Sequence, residues 1–377
     1  MADRAVRHSP GPGRPGLVPE LRVARTQQPL TGRWRQLPVA PRGAAKLGFS
    51  FRPLQARAFG LDPDETLRTL LGYPCQLVRL AAYWNEIESA PGVFDPTALD
   101  RQIDAAEQAG KQIIVCLGAV KSFGYPEFFV PGHQLREPLP EGTLIRPERW
   151  RSLLDAATAF STRLITRYAG REAIIAWQVE HEAVDPLGME HSWRLAEEFA
   201  AAEAAAVRAA DPGRPVLMNG FLPMSLAVRL QQRWRTRDQG DSLAVAQRLA
   251  DIIGVDVYPR HALAAAGQAG LYLDGSRSRR PRRDRQRLLD WAAANGRQVM
   301  IAEGQAEPWE AVTTPPDPGR RGMYSCLPEH VIQNYNDCMA PGLLAYLFWG
   351  AEYWVLRQRT GDPRYLGAFG RVLAESG

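Results

Sequence analysis

From Lys46 onward the chain alternates short apolar runs with longer amphipathic ones. The apolar runs fall at 46–51, 76–82, 112–117, 173–179, 215–219, 252–257, 297–302 and 342–349. Each has the length of a β-strand. The run Gln112-Ile-Ile-Val-Cys-Leu117 is apolar throughout, as in a strand covered on both faces. Between the runs, apolar positions recur at helical spacing. Leu99, Ile103 and Ala106 form one such set, and Trp150, Leu153, Leu154, Ala157, Phe160, Leu164 and Tyr168 form a longer one. Asp62-Pro63 and Asp95-Pro96 read as helix starts and Gly110 as a stop. Further helices are expected at 191–210, around Trp234 and 243–249, at 288–294, at 328–338 and from about 365. Eight strands, nearly all followed by a helix, predict a parallel sheet with helical crossovers, closed into a (β/α)₈ TIM barrel. An open doubly wound sheet is the runner-up. It calls for a glycine-rich phosphate loop after an early strand, and no GxGxxG or Walker-type motif is present.

Three stretches break the rhythm. Residues 1–45 are rich in Pro, Gly and Arg without a period and are expected to be a disordered or loosely draped arm. The barrel then takes 46–377. Residues 121–146 form a long loop with Tyr125, Phe128, Phe129 and His133. Residues 261–287 read as an inserted surface loop, with seven Arg between Arg277 and Arg287.

Charge and composition narrow the function classes. A net charge of +5 over 377 residues, with Arg crowded into two segments, argues against a nucleic-acid-binding face. No apolar run reaches the roughly 18–20 residues of a membrane span. The start Met-Ala-Asp-Arg lacks the apolar core of a signal peptide, so a cytoplasmic location is the expectation; a mis-assigned start would leave secretion open. Cys75, Cys116, Cys326 and Cys338 match no metal pattern, and His181 alone among the six His sits clearly at a strand end, so neither a metal nor another cofactor is expected.

The candidate chemistry lies at strand ends, the rim where barrel enzymes react. The seventh strand ends Ile301-Ala-Glu303, followed by Glu307 and Trp309; the fourth ends Trp177-Gln-Val-Glu-His-Glu182. In a closed barrel these strands stand across the mouth from one another. Glu182 and Glu303 can then work as a pair, one protonating a leaving oxygen and the other attacking the anomeric carbon. Aromatics beside acids in the last loops (Trp349, Glu352, Tyr353, Trp354) suit sugar rings. Asp256 and Asn219 are lower-ranked candidate ligands, and Glu180 a neighbouring acid.

These two segments resemble the strand-four and strand-seven signatures of clan A glycoside hydrolases, retaining (β/α)₈ enzymes that include cellulases, mannanases and β-galactosidases. The resemblance covers about residues 46–366. It implies Glu182 as acid/base and Glu303 as nucleophile. It also implies Arg79 beneath the nucleophile, Tyr258 in contact with it, and Trp349 as a sugar platform. Tyr83-Trp84, followed by Glu86-Ile-Glu88 and Pro91-Gly-Val-Phe94, is similar to the clan's loop after strand two. The expected substrate-binding set is therefore Arg79, Tyr83, Trp84, His181, Tyr258, Glu307, Trp309, Trp349 and Glu352. His181 stands where the clan usually has Asn, which puts the substrate class in doubt. A retaining O-glycosidase acting on a carbohydrate is the leading expectation. A catalytically silent carbohydrate-binding barrel and a transglycosylase remain open.

Overall fold

The computed structural model describes residues 20–124, 127–185, 193–223, 230, 241–276, 278–310, 317 and 320–377. Residues 1–19 of the arm, Tyr125, His191, Trp234 and Arg277 lie outside them. Eight parallel strands close a barrel: β1 (Lys46–Ser50), β2 (Leu77–Ala81), β3 (Gln112–Cys116), β4 (Ile174–Gln178), β5 (Val216–Phe221), β6 (Ile252–Val257), β7 (Gln298–Gln305) and β8 (Leu343–Trp349). Each pairs with the next, and β8 returns to β1. The outer helices follow in register: α1 (Pro63–Leu71), α2 (Thr97–Gln108), α3 (Arg151–Tyr168), α4 (Glu197–Ala210), α5 (Ser242–Leu249), α6 (Arg279–Ala294), α7 (Pro328–Cys338) and α8 (Arg364–Glu375). The chain is a (β/α)₈ TIM barrel. Asp62 caps α1 as expected, accepting the Glu65 N–H at 2.7 Å, with Pro63 in the first turn.

The alternation of side chains along each strand divides the core in two. One set fills the barrel interior: Leu77, Ile114, Ala176, Leu217, Ile252, Met300, Ala345 and Leu347. The other, including Val78, Ile113, Trp177, Val255 and Ile301, packs outward against the helices. Further along the strands, inward positions turn polar, and this second storey is the floor of the site.

Two expectations are corrected. The insertion at 261–287 is an antiparallel hairpin, Arg260–Ala266 with Ala269–Asp274, followed directly by α6. Helix α6 begins at Arg279, not near 288. Its buried positions Arg285, Leu288, Leu289 and Ala292 keep helical spacing, and the arginines around the first of them hide the period. The Ser278 hydroxyl caps it by accepting the Arg280 N–H. The arm is also ordered from Glu20. Glu20–Arg25 adds a third strand to that hairpin, and Gln27–Pro29 pairs with Arg321–Met323. The first of these segments does alternate apolar and polar residues, but over too few positions to stand out among its Arg and Pro neighbours. Among the described residues no helix is long and apolar enough to cross a membrane.

Candidate active site

Glu303 reaches the mouth through a register fault. Met300 faces the interior, so strict alternation would place Ala302 inward and Glu303 outward. The pairing of β6 with β7 shifts by one residue there: Val255 lies opposite Ile301, and Asp256 opposite Glu303. The extra residue in β7 is a bulge that turns Glu303 inward. The pairing with β8 shifts on the same stretch. Gly304 follows because nothing larger fits: a Cβ there would stand 2.0 Å from the Tyr346 hydroxyl.

The Glu303 carboxyl is held on both oxygens. Arg79 Nη2 donates to Oε1 at 2.6 Å, and the Tyr258 hydroxyl donates to Oε2. Arg79 is itself fixed inside the barrel. Its Nε donates to Ser50 Oγ at 2.9 Å, Nη1 to Gln178 Oε1 at 3.3 Å, and its guanidinium lies 4.1 Å from the Phe123 ring centre. Burial raises the Glu303 carboxyl; Arg79, the Tyr258 hydrogen bond and Arg52 pull it back.

The end of β4 is built differently. Glu180 and Glu182 both have left-handed backbone, φ 53° and 43°, at a cost of roughly 1–2 kcal/mol each for residues with a Cβ. Hydrogen bonds to the loop after β3 hold the turn. Glu180 accepts the Val120 N–H at 3.0 Å and that of Lys121. The His181 N–H donates to the Lys121 carbonyl at 3.0 Å, and Lys121 Nζ donates to the carbonyls of Glu182 and Asp185 at 2.7 and 2.6 Å. Glu180 is thus committed to this loop, while Glu182 is set among acids. Burial raises the Glu182 carboxyl well above its ordinary range, and Asp256, Asp185, Glu127 and Glu303 add to it.

Asn219, inward on β5, ties the two halves together. Its Nδ2 donates to His181 Nδ1 at 3.0 Å and to Asp256 Oδ2 at 2.6 Å. Its Oδ1 accepts from Gln178 Nε2 at 3.0 Å and from the Glu182 N–H at 3.3 Å. With Nδ1 accepting, the His181 ring proton sits on Nε2. Burial, Arg79 and Lys121 keep the ring neutral by lowering its proton affinity well below the usual range. His181, Asp256 and Glu303 bring ligand atoms within 4.8 Å of one another. Asn219 already donates to His181 Nδ1 and Asp256 Oδ2, and Arg79 and Tyr258 donate to Glu303.

The other expected residues divide. Trp349 stays partly open beside the site, with the Arg52 guanidinium 4.4 Å from its ring centre and Phe123 edge-on at 6.0 Å. Trp309 is 47% exposed and stacks on His261 at 4.9 Å beside Tyr258. Tyr83 and Trp84 are both buried. Tyr83 is buried, stacks on Phe129, and gives its hydroxyl to the Phe123 carbonyl at 2.9 Å. It lines a separate cavity of about 170 Å³ with Arg57, Glu86 and Gln102. Trp84 is wholly buried on Phe160 and donates to Glu88 at 2.8 Å. Tyr83 also packs in one cluster with Phe123 and Trp349 beside the site. Glu307 and Glu352 are paired with Arg52, which donates to Glu307 at 2.8 and 2.7 Å and to Glu352 at 3.1 and 2.8 Å. Sequence reasoning missed Arg52, Lys121, Gln178 and His261 as parts of the site. Arg52 left a trace, being two residues beyond the inward Ser50.

The barrel is similar in fold to several solved glycoside hydrolases. A GH5_18 structure from Streptomyces cattleya in complex with GlcNAc shares 16% identity over 90% of this chain and 82% of that one, with a TM-score of 0.57. Xylanase 10B from Thermotoga petrophila RKU-1 in complex with xylobiose shares 15% over 90% and 98%, with a TM-score of 0.53. A β-galactosidase from the Antarctic haloarchaeon Halorubrum lacusprofundi shares 13% over 88% and 58%, with a TM-score of 0.50. At these identities the likeness establishes the fold. No protein-family model and no curated protein matches the chain.

Proposed function

We propose that the protein is a retaining glycoside hydrolase that cleaves an O-glycosidic bond by double displacement. The observation that carries this reading is the contrast between two buried carboxyls at one barrel mouth. Glu303 is held by a guanidinium and a phenol, which favour its charge. Glu182 is buried among four other acids, which favour its proton. One ionised and one protonated carboxyl are what the first displacement needs. Glu303 attacks the anomeric carbon as Glu182 protonates the leaving oxygen. Glu182 then takes a proton from water as the water oxygen displaces Glu303. Trp349 and the Trp309–His261 stack offer ring faces to the sugar, and His181 offers its Nε2–H. No cofactor enters the chemistry.

The test is turnover on a panel of aryl glycosides that includes xylosides, galactosides, mannosides and N-acetylglucosaminides, with product anomers read by NMR. Retention of configuration is expected. Glu303→Ala and Glu182→Ala should each abolish turnover of poorly activated substrates. Azide should rescue Glu303→Ala with an inverted product and Glu182→Ala with a retained one. Wild-type turnover in Glu303→Ala would sink the mechanism.

A further inference from the structure

Asp256 has no part in the double displacement, yet it is wholly buried among the groups that perform it. A carboxyl oxygen of Asp256 lies within 4.8 Å of both Glu303 and His181. Its Oδ2 accepts the Asn219 amide at 2.6 Å. Its Oδ1 is buried without any N–H or hydroxyl partner among the described residues. The group that does meet the Asp256 carboxyl is the Glu182 carboxyl, in hydrogen-bonding contact. An ionised Glu182 has nothing to donate. Two ionised carboxylates in contact, out of water, would each leave lone pairs unsatisfied and would repel one another. One proton between them removes both costs. Asn219 fixes the arrangement, because the same amide that donates to Asp256 accepts from the Glu182 main-chain N–H.

We propose that Asp256 is a positioning residue that shares one proton with Glu182, holding that carboxyl in place as an acid for the first displacement and making it a strong base for the second. The catalytic role rests on the glycosidase reading above; the shared proton does not.

The surroundings support a single proton rather than none or two. Glu303 from β7, Asp185 after β4 and Glu127 after β3 face the pair with negative charge. Arg79 from β2 and Lys121 from the β3 loop are the cations nearby; the first is bonded to Glu303 and the second to main-chain carbonyls. Neutral His181 and the Tyr258 phenol complete the wall. Both carboxyls are raised well above their ordinary range, by burial first, then Glu182 by its acidic neighbours and Asp256 by Glu303, while Arg79 and the hydrogen bonds from Glu182 and Asn219 pull Asp256 back.

The proton count closes over a turnover. At the start Glu303 and Asp256 are charged and Glu182 carries the proton. In the first displacement the Glu303–carbon bond forms, the carbon–oxygen bond to the leaving group breaks, and the proton goes to that oxygen. Glu303 is now an uncharged ester while Glu182 and Asp256 are both charged, so the three carboxyls carry the same total charge as before. Glu182, now in contact with an ionised Asp256, is a stronger base toward water than an isolated carboxylate. When water attacks, its proton returns to Glu182, the ester bond breaks, and Glu303 recovers its charge.

The decisive measurement needs no substrate. Full-length protein labelled with ¹³C at glutamate and aspartate carboxyls is titrated by NMR, with the Glu182 signal assigned by its loss in Glu182→Gln. Replacing Asp256 by Asn should lower the Glu182 titration midpoint by about one to two pH units, the scale set by a like charge in a shared site. In Glu182→Ala, which removes the proton that Glu182 donates, the Asp256 midpoint should rise, which covers the case of an Asp256→Asn chain that does not fold. Where turnover is found, the alkaline limb of kcat/KM in Asp256→Asn should move down with the Glu182 midpoint. A Glu182 midpoint unchanged in Asp256→Asn, or an Asp256 midpoint that does not rise in Glu182→Ala, overturns the proposal, even if turnover falls at every pH. A shifted midpoint in a protein that hydrolyses nothing on the panel upholds the pair and removes the glycosidase reading alone.

Discussion

Replacing Tyr258 by Phe deletes one oxygen and tests what holds the charge on Glu303. The phenol donates to Oε2, while Arg79 holds Oε1 at 2.6 Å. Burial raises the Tyr258 hydroxyl well above its ordinary range, so it stays a donor at all working pH values. A hydrogen bond to a charged group is worth roughly 1.5–3 kcal/mol, and one pKa unit corresponds to about 1.4 kcal/mol. The Glu303 carboxyl, already raised by burial, should therefore climb a further ~1–2 units in the variant. The acidic limb of kcat/KM reports the free enzyme's nucleophile and should move up by the same amount. Stability carries the same signature. A carboxyl whose folded pKa exceeds its unfolded value destabilises the fold once it ionises. That penalty is absent below the unfolded value, grows as pH rises through the window between the two, and is complete above the folded one. The phenylalanine variant should be less stable than the parent by roughly 1.5–3 kcal/mol at neutral pH. The two should converge below about pH 4, where Glu303 is protonated in both states. Urea unfolding at a series of pH values reads the difference directly. A stability gap that stays constant across that range, together with an unmoved acidic limb, would refute the assignment of Tyr258 to the Glu303 charge.

Three further substitutions separate packing from chemistry. Arg52→Ala strands Glu352, which is wholly buried, and should cost roughly 3–5 kcal/mol in urea unfolding; adding Glu352→Gln should return part of it. Gly304→Ala sets a methyl 2.0 Å from the Tyr346 hydroxyl and should destabilise by roughly 1–3 kcal/mol. Tyr346→Phe in the same chain should relieve part of that, since the hydroxyl has no hydrogen-bond partner among the described residues. Trp309→Ala, at a side chain 47% exposed, should leave stability within roughly 0.5 kcal/mol. It should raise KM by about two- to tenfold if a sugar ring stacks there; an unchanged KM would remove Trp309 from the sugar site.

The strands were legible because a parallel barrel asks for one thing repeatedly, a short run apolar on both faces. Each of the eight runs expected from that rule is a barrel strand, displaced by a few residues at most. What stayed hidden was structure whose signal is spread or masked. Helix α6 puts Arg285 on its buried face, where the guanidinium reaches the Asp337 carbonyl, and opens on a run of arginines, so a pattern read from apolar residues alone starts more than two turns late. The strand Glu20–Arg25 exposes Leu21 and Val23 and buries Tyr272 of its neighbour instead. Its apolar residues therefore point away from the core they would be expected to mark.

The site shows the same limit more sharply, because its two carboxyls reach the mouth by breaking the rule that located their strands. Strict alternation from Met300 turns Glu303 toward the helices; the bulge beside Asp256 turns it back. Extended backbone through 180–182 would put Glu180 and Glu182 on one face as equivalent acids. Left-handed backbone at both sends Glu180 to the main chain of Val120 and Lys121, and leaves Glu182 against Asp256. Neither fault has a residue-type marker, since the bulge needs no glycine and the turn uses two glutamates. Their cost is met by partners far along the chain, among them Lys121 and Asn219. Arg52, Glu307 and Glu352 follow the same logic at the rim: one cation and two acids, from the segments after β1, β7 and β8, pair beside Trp349. Read singly, the two acids look like sugar ligands. Arg52 makes them a fixed frame, so on the proposed glycosidase reading the aromatic faces and His181, rather than these acids, are the groups left to meet a sugar.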